Sequence, residues 1–188
     1  MTTPWSKRRW IFGLLIVEFL FITLIVGTQI LSLLDFHPSD RTLISKFNSH
    51  REALEKLVTM AREDSNVKAI YPDGLMLDDN QRWPEPGTGL FSRQRWNQYE
   101  TVFNALRPII LHELSKDNLL ILIPASIQRS ATDDSEALVS LKGYAYSPVA
   151  IPVQSSLDPP EVDDLGRFYR RIDDHWYLYR ECWISKPE

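Results

Sequence analysis

The side chains best suited to chemistry are few and lie far apart in the chain. The histidines and the single cysteine are His37, His50, His112, His175 and Cys182. His112-Glu113 begins like a zinc-protease helix, but that motif needs a second histidine where this chain has Lys116. Cys182 and His175 could form a nucleophilic dyad, yet their odd spacing puts them on opposite faces of a strand. We therefore expect no metal, no cofactor and no catalytic residue.

Paired acidic residues are a second group that could bind ligands. They occur at positions 78–79, 133–134, 163–164 and 173–174, each among turn-forming residues. Aspartate in a turn bonds its own backbone, and none of these pairs has the alternating acids, central glycine and closing glutamate of a calcium loop. The pattern predicts solvated turns.

One carboxylate lies in an apolar stretch. Glu18 is the single ionisable residue of the run 11–34, IFGLLIVEFLFITLIVGTQILSLL. Two interpretations remain open at this position. Glu18 contacts a partner helix or a proton path within the membrane, or it is a protonated or snorkelling side chain without a partner.

The run 11–34 itself predicts a transmembrane helix. About 20 apolar residues span the hydrocarbon core, and the gain from the apolar residues, about 0.3–0.6 kcal/mol each, offsets the cost of about 2.5–3.5 kcal/mol for one carboxylate. Lys7, Arg8 and Arg9 precede the run, so the positive-inside tendency predicts a cytoplasmic segment 1–10. We expect a single-pass signal anchor in the inner (plasma) membrane, with residues 35–188 outside the cytoplasm.

A cleaved signal peptide is the main alternative for this run. Such a peptide has a shorter apolar region of about 7–15 residues and ends in an A-x-A-like site. The nearest small residue, Gly27, has Ile25 two positions before it. An uncleaved anchor fits the sequence better.

Charge and cysteine content limit the partners of the remaining chain. Residues 35–188 carry 18 basic and 24 acidic side chains, a balance of −6. An acidic, evenly mixed surface argues against nucleic acid. One cysteine allows no intrachain disulfide. The expected partners are the lipid bilayer and a membrane protein.

The exported part has the pattern of an α+β domain with helices first and strands later. A helix is predicted over 39–64, capped by Ser39 or Asp40, and a second begins after a Ser92 cap and ends near Pro108. Residues 67–71 predict a short strand, and 72–90 a loop rich in turn formers.

The second half predicts an antiparallel sheet. Strands are expected at 119–127, 136–146, 167–172 and 176–184, with an extended segment at 149–153. Pro124 predicts an edge strand or a bulge. Helices packed on one face of this sheet are the expected architecture.

Three segments carry a resemblance: Phe47-Asn-Ser-His-Arg51, Gly143-Tyr-Ala-Tyr-Ser147 and Tyr169-Arg-Arg-Ile-Asp-Asp-His-Trp-Tyr-Leu-Tyr179. They resemble a family of small uncharacterised bacterial proteins that are exported behind a lipoprotein signal or a single membrane helix. The resemblance implies an exported domain and no particular activity. This chain lacks the lipoprotein cysteine, so the helix would be its anchor.

These patterns indicate a non-catalytic binding or assembly module held at the membrane. Two other functions stay open. One is a membrane-tethered hydrolase acting on envelope material, with its site in the 72–90 loop or near His50, His112 and Cys182. The other is an accessory subunit of a membrane complex, docked through Glu18.

Overall fold

The structure is a computed structural model, and its described residues begin at His37. They are 37–71, 74–78, 82–83, 91–107, 110–111, 113–117, 120–131, 136–158 and 165–185. The transmembrane prediction for 11–34 lies outside this range, as does the cytoplasmic segment 1–10. Within the described residues, neither helix combines the length and apolar content needed to cross a bilayer.

Two helices and eight strands make up the described part of the chain. The helices are α1, Asp40–Glu63, and α2, Arg93–Leu106. The strands are β1 Val67–Tyr71, β2 Gly74–Leu77, β3 Arg82–Trp83, β4 Leu114–Asp117, β5 Leu120–Ala131, β6 Ala137–Tyr146, β7 Gly166–Arg171 and β8 Trp176–Ser185. They form one sheet in the order β3-β2-β1-β4-β5-β6-β8-β7, and every neighbouring pair is antiparallel.

Both helices begin at a serine cap, as the sequence predicts. The Ser39 hydroxyl accepts a hydrogen bond from the Thr42 amide, and the Ser92 hydroxyl accepts one from the Arg95 amide. Each bond satisfies an amide that the first helical turn leaves free. A non-helical backbone at His50 kinks α1.

The helices cover one face of the sheet, which confirms the α+β prediction. The main core joins both helices to the sheet through Phe47, Leu57, Phe103, Tyr144 and Leu178. The Tyr144 hydroxyl donates a hydrogen bond to the carbonyl of Leu43, 3.1 Å away, so this buried polar group has a partner inside the core. A smaller apolar cluster on the opposite face holds Leu122, Ala145, Tyr177 and Tyr179.

β5 contains the bulge that Pro124 predicts, but it is an interior strand. The register shifts between Pro124 and Ser126, so Ile123 and Ser126 both pair with residues of the helix-covered face. An extra residue in one strand reverses the side-chain alternation beyond it. Gly143 lies opposite Pro124, and a Cβ there would come within 2.3 Å of the Ile123 carbonyl oxygen.

The side chains along β8 alternate between the two faces of the sheet. Leu178 and Cys182 pair with Tyr144 and Ser140 on the helix-covered face, and Tyr179 belongs to the cluster on the other face. Three of the six aromatic side chains of the β7–β8 hairpin, Trp176, Tyr177 and Tyr179, are buried in the core. The segment 149–153 lies outside the ladder.

The 72–90 loop prediction is wrong in part. Residues 74–77 form β2, which pairs with β1, and 82–83 form β3 at the sheet edge. Turn-forming residues surround this hairpin in the sequence, and its strand β2 has only four residues, so the sequence pattern predicts a loop. β4, also four residues long, was not expected, and it separates β1 from β5.

Candidate functional site

Three of the residues that the sequence singles out for chemistry, His50, His175 and Cys182, do not share a site. His50 lies on α1 beside α2, His175 lies in the turn between β7 and β8, and Cys182 is buried on β8. His112 lies outside the described residues. A hydrolase needs its nucleophile and base within hydrogen-bond reach of each other, and these three residues occupy separate places.

The membrane-related predictions also lie outside the described residues. Lys7, Arg8 and Arg9, the predicted orientation determinants, precede His37, as does Glu18, the candidate intramembrane contact. They stay predictions.

A polar cluster surrounds the start of α1, and its residues lie far apart in the sequence. One part of it is centred on His37, whose Nδ1 lies 2.7 Å from the Ser126 hydroxyl and whose Nε2 lies 2.9 Å from the Ser140 hydroxyl. The Ser140 hydroxyl also accepts a hydrogen bond from Arg180 Nε at 3.2 Å and lies 3.3 Å from Cys182 Sγ. Cys182 is thus a small buried member of a polar network.

The second part of this cluster is a buried group of ion pairs. Lys142 Nζ lies 2.8 Å from Asp40 Oδ1, with side chains only 1% and 2% exposed, and it also pairs with Asp158. Arg170 donates to Asp40 Oδ2 at 2.7 Å, and the Leu157 amide donates to the same oxygen at 2.9 Å. We call both parts together the His37 cluster: His37, Asp40, Ser126, Ser140, Lys142, Asp158, Arg170, Arg180 and Cys182.

Electrostatics keep the histidine of this cluster neutral. Burial, followed by the positive charges of Arg180 and Lys142, lowers the pKa of His37 to about 4. A neutral imidazole has one donor and one acceptor nitrogen, which suits two flanking hydroxyls. Burial raises the pKa of Asp40, but the bonds from Leu157, Lys142 and Arg170 outweigh it, so that pKa lies below its ordinary value.

The His37 cluster fastens the first described residues to the sheet. His37 bonds to β5 and β6, and Asp40 bonds to β6, to β7 and to the segment 156–158. A buried charged network in which each member has a partner restrains the geometry of every element it joins. The start of α1 is therefore held at a defined place on the sheet.

A groove lies farther along α1. It has a volume of about 420 Å³ and is bounded by α1, by Tyr146 at the end of β6 and by the β7–β8 turn. We call it the α1 groove; its lining residues are Arg51, Glu55, Val58, Thr59, Arg62, Tyr146, Asp173, Asp174, His175 and Trp176. The five α1 residues fall on one stripe because helical neighbours recur every three or four positions.

Charges of both signs line the α1 groove. Arg51 pairs with Asp173 at 2.6 Å across the groove and with Glu55 at 3.6 Å along the helix. The backbone of Asp174 and the Arg51 guanidinium lower the pKa of Asp173. Arg62 donates to the Tyr146 hydroxyl at 3.3 Å and lies 5.7 Å from the centre of that ring. Among the described residues, Arg62 forms no ion pair with a carboxylate.

Two smaller cavities lie elsewhere. One of about 340 Å³ separates α1 from α2 near His50. Another of about 140 Å³ lies on the opposite sheet face, where burial raises the pKa of Glu113. In the described part of the chain, no three side chains of the metal-binding types come together.

No protein-family model, curated protein or solved structure matches the chain. The class that the described residues define is an α+β domain with two helices on one face of an antiparallel sheet.

Proposed function

We propose that the chain is a single-pass membrane protein whose extracytoplasmic domain is a non-catalytic binding module. In this proposal residues 11–34 form the anchor, Lys7, Arg8 and Arg9 keep the N-terminus in the cytoplasm, and the domain binds its partner through the α1 groove. A tethered domain meets membrane partners at a raised effective concentration without any added contact.

The observation that carries the proposal is the composition of the α1 groove. Its aromatic floor, Tyr146 packed edge-on against Trp176 at 5.4 Å, offers apolar contact. Its rim offers Arg62, a cation that the described carboxylates leave unpaired. Concave surfaces that combine apolar area with a few placed polar groups are typical of binding sites.

The chemistry of the groove favours a peptide segment of a partner protein that carries a carboxylate. A carboxylate can take two parallel hydrogen bonds from Arg62, and aliphatic groups can pack on Tyr146 and Val58. Glu55, Asp173 and Asp174 repel a polyanion, so nucleic acid fits the groove poorly.

The test is site-specific photo-crosslinking of the full chain in cells. Benzoylphenylalanine replaces Thr59 in the groove, and the matched control replaces Thr101 on α2, since both are exposed helical threonines that bond the carbonyl four residues earlier. We expect a discrete protein adduct at position 59, identified by mass spectrometry, and none at position 101.

A charge reversal then asks whether Arg62 holds the partner. Arg62→Glu should abolish the adduct, whereas Arg41→Glu, the same change at an exposed site near the start of α1, should leave it unchanged. An adduct that survives Arg62→Glu, or one that forms only at position 101, would remove the α1 groove as the binding surface.

A further inference from the structure

One end of the sheet exposes large apolar side chains on both of its faces. Ile127, Trp183 and Ile184 are 44%, 38% and 46% exposed, and we call them the ribbon patch. Ile184 pairs with Leu138 on the helix-covered side, whereas Trp183 pairs with Val139 on the opposite side. Side chains that alternate along a strand thus present apolar area in two directions.

The ribbon patch lies next to the point where the described chain begins. His37 bonds to Ser126, the neighbour of Ile127, and to Ser140, which pairs with Cys182, the neighbour of Trp183. The predicted anchor ends at Leu34, three residues before His37. Three extended residues span at most about 11 Å. A bilayer that holds residues 11–34 is therefore within reach of the ribbon patch.

We infer that the ribbon patch rests on the lipid interface of the membrane that holds the anchor. Tryptophan favours the headgroup boundary, where its ring is in apolar surroundings and its N–H meets water. Lipid can surround a strand end on both faces, whereas a protein packed on one face would leave the other face wet. This inference rests on the membrane anchor of the proposed function.

Apolar burial, not charge attraction, drives this contact. Residues 35–188 carry 18 basic and 24 acidic side chains, a net charge of −6. This net charge opposes an anionic surface, so the patch suits zwitterionic headgroups, and we expect the contact to weaken as anionic lipid is added.

The contact would orient the α1 groove. β6 runs about 30 Å from Ala137, beside the ribbon patch, to Tyr146, which lines the groove. With one end of β6 on lipid, the other end presents the groove away from the bilayer, toward an extracytoplasmic partner.

The test places benzoylphenylalanine at Trp183 in the full chain reconstituted into phosphatidylcholine vesicles. After irradiation, mass spectrometry measures the fraction of protein that carries a lipid adduct. The matched control is Val149, a large apolar residue 53% exposed just beyond the far end of β6. We expect an adduct yield at position 183 several-fold above that at 149, and a lower yield when phosphatidylglycerol is mixed in.

Equal yields at positions 183 and 149, or no lipid adduct at 183, would overturn the inference. So would an adduct with a second copy of the chain or with residues 1–36, because either would mean that protein covers the patch. If substitution at 183 lowers the melting temperature, the same measurement at Ile184 replaces it.

Alkaline carbonate extraction of the same vesicles separates this inference from the proposed function. A chain that carbonate releases has no membrane anchor, and the proposed function fails. A chain that stays in the membrane without a lipid adduct at 183 or 184 keeps its anchor, and only the lipid contact fails.

Discussion

Protonation of His37 opposes folding, which gives the protein a pH-dependent stability. The pKa of His37 is about 4 in the folded chain and has the ordinary value of 6.5 in the unfolded chain. Between these values the unfolded state binds a proton that the folded state does not, so stability is complete above pH 6.5 and falls as the pH drops toward 4.

His37→Gln should remove this pH dependence, because an amide keeps a donor and an acceptor for the two serines but does not titrate. The difference in unfolding free energy between wild type and variant should fall by on the order of 1–2 kcal/mol from pH 6.5 to 4, after allowance for solvent screening at this half-buried ring. Urea unfolding of the full chain in mild detergent measures it. Parallel pH curves for the two proteins would show that His37 does not cause the slope.

Lys142 and Asp40 should behave as a coupled pair. Lys142→Met removes one partner of the buried Asp40 carboxylate, and we expect the unfolding free energy to fall by about 3–5 kcal/mol. Asp40→Asn should cost less in the Lys142→Met background than in wild type, with a coupling energy of about 1–3 kcal/mol. A double-mutant cycle measured by urea unfolding gives this energy. Additive losses would mean that the two side chains act independently.

At the scale of an element, the β5 bulge depends on the absence of a side chain at position 143. A Cβ on Gly143 would lie 2.3 Å from the Ile123 carbonyl oxygen and 2.8 Å from the Ala125 amide nitrogen. Both are backbone atoms, so neither can rotate away. Gly143→Ala should cost about 1–3 kcal/mol of unfolding free energy, measured by thermal or urea unfolding. A variant as stable as wild type would contradict this close approach.

Local patterns in the sequence predict the longer elements well because each carries its own signal. α1 and α2 have serine caps and apolar stripes, and β6 and β8 alternate over ten residues each. β2 and β4 have four residues each and depend on pairing with β1, so contacts distant in sequence decide them.

The candidate sites could not be predicted because their residues lie far apart in the sequence. His37 meets Ser140 across 103 positions, and Asp40 meets Arg170 across 130. Neither the types nor the spacing of these residues form a motif. For Lys142 one signal was present: it falls on the helix-covered side of a strand with Tyr144, and a charged residue there requires a buried partner.

At the scale of the whole molecule, α1 joins the His37 cluster, which lies next to the ribbon patch, to the α1 groove. It begins at Asp40 in the His37 cluster and carries Arg51 to Arg62 in the α1 groove. At about 1.5 Å per residue, this groove lies roughly 16–33 Å along the helix from Asp40. Partner binding and membrane contact can therefore occur together without sharing residues.

The orientation of the chain gives the last prediction. Alkaline phosphatase is active only outside the cytoplasm, so a fusion after Glu188 should be active in cells if Lys7, Arg8 and Arg9 hold the N-terminus inside. Replacing these three with serine should lower the activity per fusion molecule, because the charge bias that sets the orientation is lost.

The matched control removes three exposed cations, two on α1 and one just after α2, by Arg41→Ser, Lys56→Ser and Arg107→Ser, and should leave the activity unchanged. It makes the same change in net charge outside the N-terminal segment, so it separates the effect of position from that of total charge. An inactive fusion in the wild-type chain would place the domain in the cytoplasm. The α1 groove would then face cytoplasmic partners, and any lipid contact of the ribbon patch would be with the opposite leaflet.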